Sequence, residues 1–242
     1  MKHIKIVGHR GARNEAPENT VESFQHATNN GCLDFELDIQ LSSDKELLVY
    51  HDKSLKRTSG INKKLSALPY SYLKEIDARD NTPGWPEPCR IANLETVVDA
   101  IPNTQSWQFE VKTDRRTTLS ILADKLITLI KEKALLERCH VTSGNKWFLS
   151  LIKKKEPKIK TGFVCEFLYQ RPISTCLNTG SDLLVLNHKL ASRSLVEKAH
   201  KKDLNISCWT VNDLARVDYL LDLGVNNIIT DIPTTMIKHY FR

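Results

Sequence analysis

Short runs of β-branched and aliphatic residues recur along the whole chain, and each is separated from the next by a segment long enough for an amphipathic helix. The runs at 4–7, 34–41, 47–50, 107–111, 140–142, 161–165, 183–186, 206–209 and 227–230 are predicted strands. Helices are predicted over 19–30, 118–136, 146–155, 192–202, 211–224 and 234–240. The first of these opens at Asn19-Thr20 after Pro17 and stops at Gly31, and the fifth ends at Gly224, which are helix-capping residues in the right places. Strand and helix alternating in this way predict an α/β fold with a mostly parallel sheet and helices outside it. About eight such units in 242 residues predict a closed barrel in one domain, 1–242, because α/β barrels use about 250 residues. One stretch, 52–93, breaks the rhythm with Pro69, Pro83, Pro86 and Pro88 and only a short helical piece at 71–76. It reads as an insertion too small to have a core of its own.

Composition removes several alternatives. A chain that is 40% hydrophobic and 26% charged can bury a core and is not disordered. The first apolar run, Ile4 to Gly8, contains Lys5 and meets His9-Arg10 at once, which is too short for a signal peptide or a membrane span. The six cysteines fall singly, with no C-x-x-C pair, and read as reduced core thiols of a cytoplasmic protein. Lys and Arg exceed Asp and Glu by 35 to 29. The basic pairs are scattered and no aromatics interleave with them, so no nucleic-acid partner is expected. The excess favours small anions by steering, phosphate compounds among them. The oligomeric state is not legible.

Barrel enzymes carry their chemistry at the C-terminal ends of the strands. In this chain those ends hold His9-Arg10, Glu36 and Asp38, His51-Asp52, Glu110 and Lys112, and Asp231. Glu36 and Asp38 are two apart on a strand, so both carboxylates share one face while Phe35, Leu37 and Ile39 take the other. Carboxylates held together repel unless a cation lies between them or one is protonated. With Glu110 on a neighbouring strand, three oxygen ligands suit a hard cation, Mg²⁺ or Ca²⁺, rather than zinc. A solvent-facing edge strand would account for the same alternation without a metal. His9 and His51, each after an apolar strand, can serve as base and acid in phosphoryl transfer, or can simply hold loops. Arg10 and Lys112 can neutralise phosphate oxygens, or be ordinary surface cations.

The ordered motifs Gly8-His9-Arg10-Gly11, Pro17-Glu18-Asn19-Thr20, Glu36-Leu37-Asp38, His51-Asp52, Glu110-Val111-Lys112, Trp209-Thr210-Val211-Asn212 and Thr230-Asp231-Ile232-Pro233 cover essentially the whole chain. Together they resemble the glycerophosphodiester phosphodiesterase family. The resemblance implies a TIM (β/α)8 barrel with a small insertion after the second barrel strand. It implies that Glu36, Asp38 and Glu110 bind the metal and that His9 and His51 are the acid–base pair. It further implies that Arg10 and Lys112 contact phosphate, that Glu18 lies near the site and that Trp209 packs on the glycerol carbons. The chain departs from the family at 140–146, where Val-Thr-Ser-Gly-Asn replaces a serine followed by an aromatic, leaving Ser143 as the counterpart. It also lacks a proline in 89–93. Both departures bear on substrate fit.

The expected activity is hydrolysis of deacylated phospholipids, such as glycerophosphocholine or glycerophosphoethanolamine, to sn-glycerol 3-phosphate and an alcohol. No stable membrane insertion is expected. The rivals are a lysophospholipase D acting on acylated lipid, whose apolar lip could come only from Leu65, Leu68, Tyr70, Tyr72 and Trp85 of the insertion, and a barrel that binds a phosphodiester without turnover.

Overall fold

Eight parallel strands close into a ring in the computed structural model, which describes residues 4–82, 84–112 and 114–241. They are β1 (Lys5–His9), β2 (Asp34–Leu41), β4 (Ser106–Val111), β5 (Cys139–Ser143), β6 (Lys160–Cys165), β7 (Leu183–Asn187), β8 (Asn205–Trp209) and β9 (Asn227–Thr230). Pairing of β1 with both β2 and β9 completes the closure. The remaining strand, β3 (Leu47–Val49), runs antiparallel on the outgoing end of β2 and stands outside the ring. An apolar run gives no sign of its direction, so the sequence pattern alone could not separate β3 from the barrel strands.

Helices cover the ring: α1 (Val21–Asn29), α4 (Leu94–Ala100), α5 (Arg116–Glu132), α6 (Lys146–Lys155), α7 (Pro172–Thr179), α8 (Arg193–His200), α9 (Leu214–Leu223) and α10 (Pro233–Phe241). Side chains of Thr20, Asn93, Asn145, Ser192 and Asp213 accept hydrogen bonds from backbone N–H groups in the first turns of α1, α4, α6, α8 and α9, supplying partners the helix cannot provide. The sequence pattern missed α7. Its Ile-Ser-Thr-Cys run is poor in helix formers, and packing of Pro172, Thr175, Cys176 and Thr179 holds it in place.

Both faces of β2 are covered. Phe35, Leu37 and Ile39 are fully buried against the helical layer, where Phe24 meets Phe35 edge-on at 5.4 Å and Trp107 stacks on Phe109 at 5.6 Å. Val7, Leu183, Val185 and Ile229 fill the interior on the other side of the ring. The insertion carries α2 (Lys56–Ser59) and α3 (Tyr70–Leu73), and its apolar residues gather with Leu48 and Tyr50 into a satellite cluster. All six cysteines are free and buried.

The turn after β1 depends on two glycines. A Cβ at Gly8 would strike the carbonyl oxygen of Gly11, and one at Gly11, whose φ is +86°, would lie 2.5 Å from Ser23 Oγ. The chain therefore folds tightly under His9 and Arg10.

Candidate active site

Alternation along each strand sends His9, Glu36, Asp38 and Glu110 to the inner face, and parallel register sets His9 beside Glu36 and Asp38 beside Glu110. One ligand oxygen from each of Glu36, Asp38 and Glu110 lies within 4.8 Å of the other two. Above them opens a cavity of about 520 Å³, lined from the strand ends by His9, Glu36, Glu110, Thr142, Val164, Val185, Trp209 and Ile229, with His51, Arg10, Arg13 and Lys112 around it.

The carboxylates differ in environment. Burial, with Asp38 and Glu110 beside it, raises the Glu36 carboxyl well above the usual carboxylate range. Burial would raise Asp38 as well, yet Lys112 and Arg10 hold it well below that range. Lys112 Nζ is 2.8 Å from Asp38 Oδ1 and 2.6 Å from Glu110 Oε1, and Arg10 Nε is 3.1 Å from Asp38 Oδ2. Asn19 Nδ2 donates to the same Asp38 oxygen at 2.9 Å. Glu36 Oε2 accepts from the Arg10 backbone N–H at 3.2 Å, while Glu36 Oε1 is buried without a hydrogen-bond partner. A buried, unpartnered carboxylate oxygen within an all-oxygen set fits a hard cation.

Each histidine has a carboxylate behind it. His9 Nδ1 is 2.6 Å from Asp231 Oδ1, and its Nε2 is 3.8 Å from Glu36 Oε2. Burial lowers the His9 pKa and Arg10 adds to the effect, while Asp231 opposes both. His51 Nδ1 is 2.5 Å from Asp52 Oδ1. Occupation of both Nδ1 atoms leaves Nε2 of each ring for a ligand in the cavity.

Glu18 lies beneath the cavity wall rather than on it. Its carboxylate accepts from Arg10 at 2.7 Å and from two nitrogens of Arg57 at 2.6 and 2.8 Å. Against the effect of its burial, these partners bring the Glu18 pKa down to about 2. Arg57 also donates to Asp52 at 2.7 Å, so a continuous chain of charged pairs joins His51 to Arg10. The Arg10 guanidinium is nearly enclosed by this network. Trp209 is half-buried at the mouth, with its Nε1 donating to the Val185 carbonyl at 3.3 Å. Ser143 is buried, and its hydroxyl donates to the Val111 carbonyl at 2.6 Å.

Sequence reasoning noted Asp231 as a strand-end residue and gave it no role. Asn212, in the Trp-Thr-Val-Asn motif, donates to Asp231 Oδ2 at 2.8 Å and accepts from the Asp231 backbone at 2.9 Å. Arg13 and Arg57 had no signal in the sequence beyond their charge. The exposed apolar residues at the mouth also differ from those expected. Leu65 is buried and Leu68 and Tyr70 pack on the satellite cluster, and of the expected residues Tyr72 is 44% exposed, whereas Phe167, Leu168 and Tyr169, after β6, which were not expected, are 45%, 56% and 79% exposed. Their neighbours Glu166 and Gln170 line the cavity.

No helix among the described residues is long and apolar enough to cross a membrane. The sequence model of the glycerophosphoryl diester phosphodiesterase family matches residues 9–235. A protein of Caldanaerobacter subterraneus subsp. tengcongensis named glycerophosphodiester phosphodiesterase is 28% identical over 236 residues, covering 96% of each chain. A human protein named lysophospholipase D is 24% identical over 278 residues, covering 96% of this chain and 84% of its own. The structure of an Oleispira antarctica phosphodiesterase, solved with the product sn-glycerol-3-phosphate, superposes with a TM-score of 0.88 at 20% identity, covering 97% of this chain and 95% of that one.

Proposed function

The chain belongs to the glycerophosphoryl diester phosphodiesterase family of enzymes, and from that premise we propose that it hydrolyses deacylated phospholipids such as glycerophosphocholine or glycerophosphoethanolamine to sn-glycerol 3-phosphate and the free alcohol. The observation that carries this reading is the convergence of Glu36, Asp38 and Glu110 within 4.8 Å beneath a cavity bordered by His9 and His51. Glu36, Asp38 and Glu110 would hold one Mg²⁺ or Ca²⁺. When bound, the cation supplies Lewis acidity to a phosphate oxygen and neutralises charge that develops there.

His9 and His51 form the acid–base pair in this reading. One imidazole takes the proton of the attacking hydroxyl as its oxygen bonds to phosphorus, and the other donates a proton to the alcohol oxygen as the P–O bond breaks. Asp231 and Asp52 fix the orientation of the two rings through Nδ1. The attacker is either water or the substrate's own glycerol 2-hydroxyl, and capture of a cyclic phosphate identifies the second route. Lys112 and Arg10 place positive charge beside the phosphate, and Trp209 offers an apolar wall to the glycerol carbons. Reduced thiols at all six cysteines accord with a cytoplasmic location.

A second reading is favoured by one feature, the exposed Phe167-Leu168-Tyr169 tip beside the cavity. It offers an acyl chain an apolar surface, as a lysophospholipase D requires, and the human relative carries that name. One panel tests both: release of glycerol 3-phosphate from deacylated phosphodiesters, and of choline from lysophosphatidylcholine, each with Mg²⁺, Ca²⁺ or chelator. Metal-dependent glycerol 3-phosphate establishes the first reading. Cleavage of the lysolipid alone replaces it with the second.

A further inference from the structure

Beside the candidate active site lies a second cavity of about 470 Å³, between the end of β2, the insertion and the start of α5, and Lys112 lines both. Lys45, Lys53, Lys64 and Arg115 line it as well, over a floor of leucines that includes Leu119 and Leu122. Among the described residues none of these four cations has a carboxylate within 4.0 Å. Elsewhere on the surface Lys131, Lys133, Lys155 and Lys160 pair with carboxylates at 2.5 to 3.1 Å. Lys112 is paired with Asp38 and Glu110 and stands between the two cavities. The acidic group in the second cavity, Asp114, accepts from the Arg115 backbone at 2.6 Å and leaves the guanidinium free. Four cations around one hollow repel each other unless an anion joins them.

We propose that this cavity takes a second phosphoryl group, carried on the leaving alcohol, so that the enzyme prefers glycerophosphodiesters whose alcohol is itself phosphorylated. The inference rests on the phosphodiesterase reading and narrows its substrate class. A phosphate monoester carries about −1.5 to −2 charges at pH 7, more than a single lysine balances. Flexible lysine stems act on it as point charges and need no fixed fork geometry. The sharing of Lys112 places the two anionic subsites side by side, as one substrate bearing two phosphates requires.

The test compares kcat/KM for glycerophosphoinositol 4-phosphate with that for glycerophosphoinositol, in the wild type and in the double variant K53Q/K64Q, with glycerophosphocholine as the control. The wild type is expected to favour the phosphorylated substrate by roughly tenfold at low salt, and the double variant to lose most of that advantage. The advantage should shrink at 1 M salt, where the screening length falls to about 3 Å. Equal kcat/KM for the two substrates in the wild type, or an advantage that survives the double substitution, overturns the proposal. Inorganic phosphate is titrated into both proteins by calorimetry. If it binds the wild type and not the variant while the two substrates turn over alike, the cavity is a free-anion site and the proposal fails. Absence of turnover with every substrate would count against the phosphodiesterase reading itself. In that case binding of glycerophosphoinositol 4-phosphate decides: tighter binding by the wild type upholds the second subsite, and equal binding removes it.

Discussion

His9 and Asp231 come from opposite ends of the chain, and the first and last strands of the barrel bring His9 Nδ1 to 2.6 Å from Asp231 Oδ1. Asn212 fixes the carboxylate from the other side, so the imidazole is held in one orientation. Replacing Asp231 with Asn keeps the shape and removes the charge that favours an imidazolium. Asp231→Asn should lower kcat by about 10²-fold with little change in KM, and His51→Ala by at least as much, since each general acid or base contributes on that order. Steady-state kinetics on variants whose circular dichroism matches the wild type would check this. Near-normal kcat in either would remove that residue from the acid–base machinery.

Glu36 Oε1 is buried without a hydrogen-bond partner. A cation that binds the native fold and not the unfolded chain raises stability by about 2.7 kcal/mol when present at 100 times its Kd. Thermal unfolding should therefore move up on addition of Mg²⁺ or Ca²⁺ and return with chelator. In Glu36→Gln the shift should be lost and activity should fall with it. A metal-induced shift of wild-type size in that variant would move the metal site elsewhere.

Glu18 links pH to stability. Its carboxyl is lowered from 4.5 to about 2, so the folded state binds the proton more weakly than the unfolded chain. The stabilisation is complete above about pH 4.5 and disappears as pH falls through about 2. The difference corresponds to roughly 3 kcal/mol. Urea unfolding at pH 7 and at pH 3 should show most of that loss in the wild type. Glu18→Gln should be less stable than the wild type at pH 7, because Arg10 and Arg57 each lose an ionised partner, and should show a smaller loss between the two pH values. An equal acid-induced loss in both proteins would place the sensitivity in other carboxylates.

The Phe167-Leu168-Tyr169 tip separates the two substrate readings. Its rings at Phe167 and Tyr169 are stacked at 5.4 Å, and Gln170 Oε1 accepts from the backbones of Glu166 and Phe167 at 2.8 Å, so it is an ordered turn. Phe167→Ser with Tyr169→Ser should raise KM for lysophosphatidylcholine by roughly tenfold if an acyl chain crosses the tip, given about 25 cal/mol per Å² of apolar area. An unchanged KM for that lipid would show that the chain does not lie there.

Much of this arrangement can be read along the sequence because strands have a period of two. That period places Glu36 and Asp38 on one face, and parallel register sets Glu110 beside Asp38. The alternation of apolar runs with helix-length segments sufficed for the barrel. The linkage of Glu18 to Arg57 was not legible, because it spans 39 residues and depends on how the insertion folds back over the barrel end. Nor was the apolar tip at Phe167 to Tyr169, since an aromatic and aliphatic run reads as core until a fold shows it turned outward. α7 escaped because its burial, not its composition, makes it helical.

Gln40 sits where the insertion leaves the barrel, and its side-chain amide reaches the carbonyls of Tyr50, His51 and Asp52, each at 2.9 Å. The return is tied to β3, the strand paired with that of Gln40, with the Val49 N–H donating to the Ala92 carbonyl at 3.0 Å. Departure and re-entry are thus moored to adjacent points on the scaffold, and His51 is anchored at the dock rather than carried by the vessel. Beyond Arg57, which holds Asp52 and through it the imidazole, the stretch between the moorings is in this respect modular: it can lengthen, shorten or change composition, and with it remodel the rim that meets the substrate, without re-aiming His51.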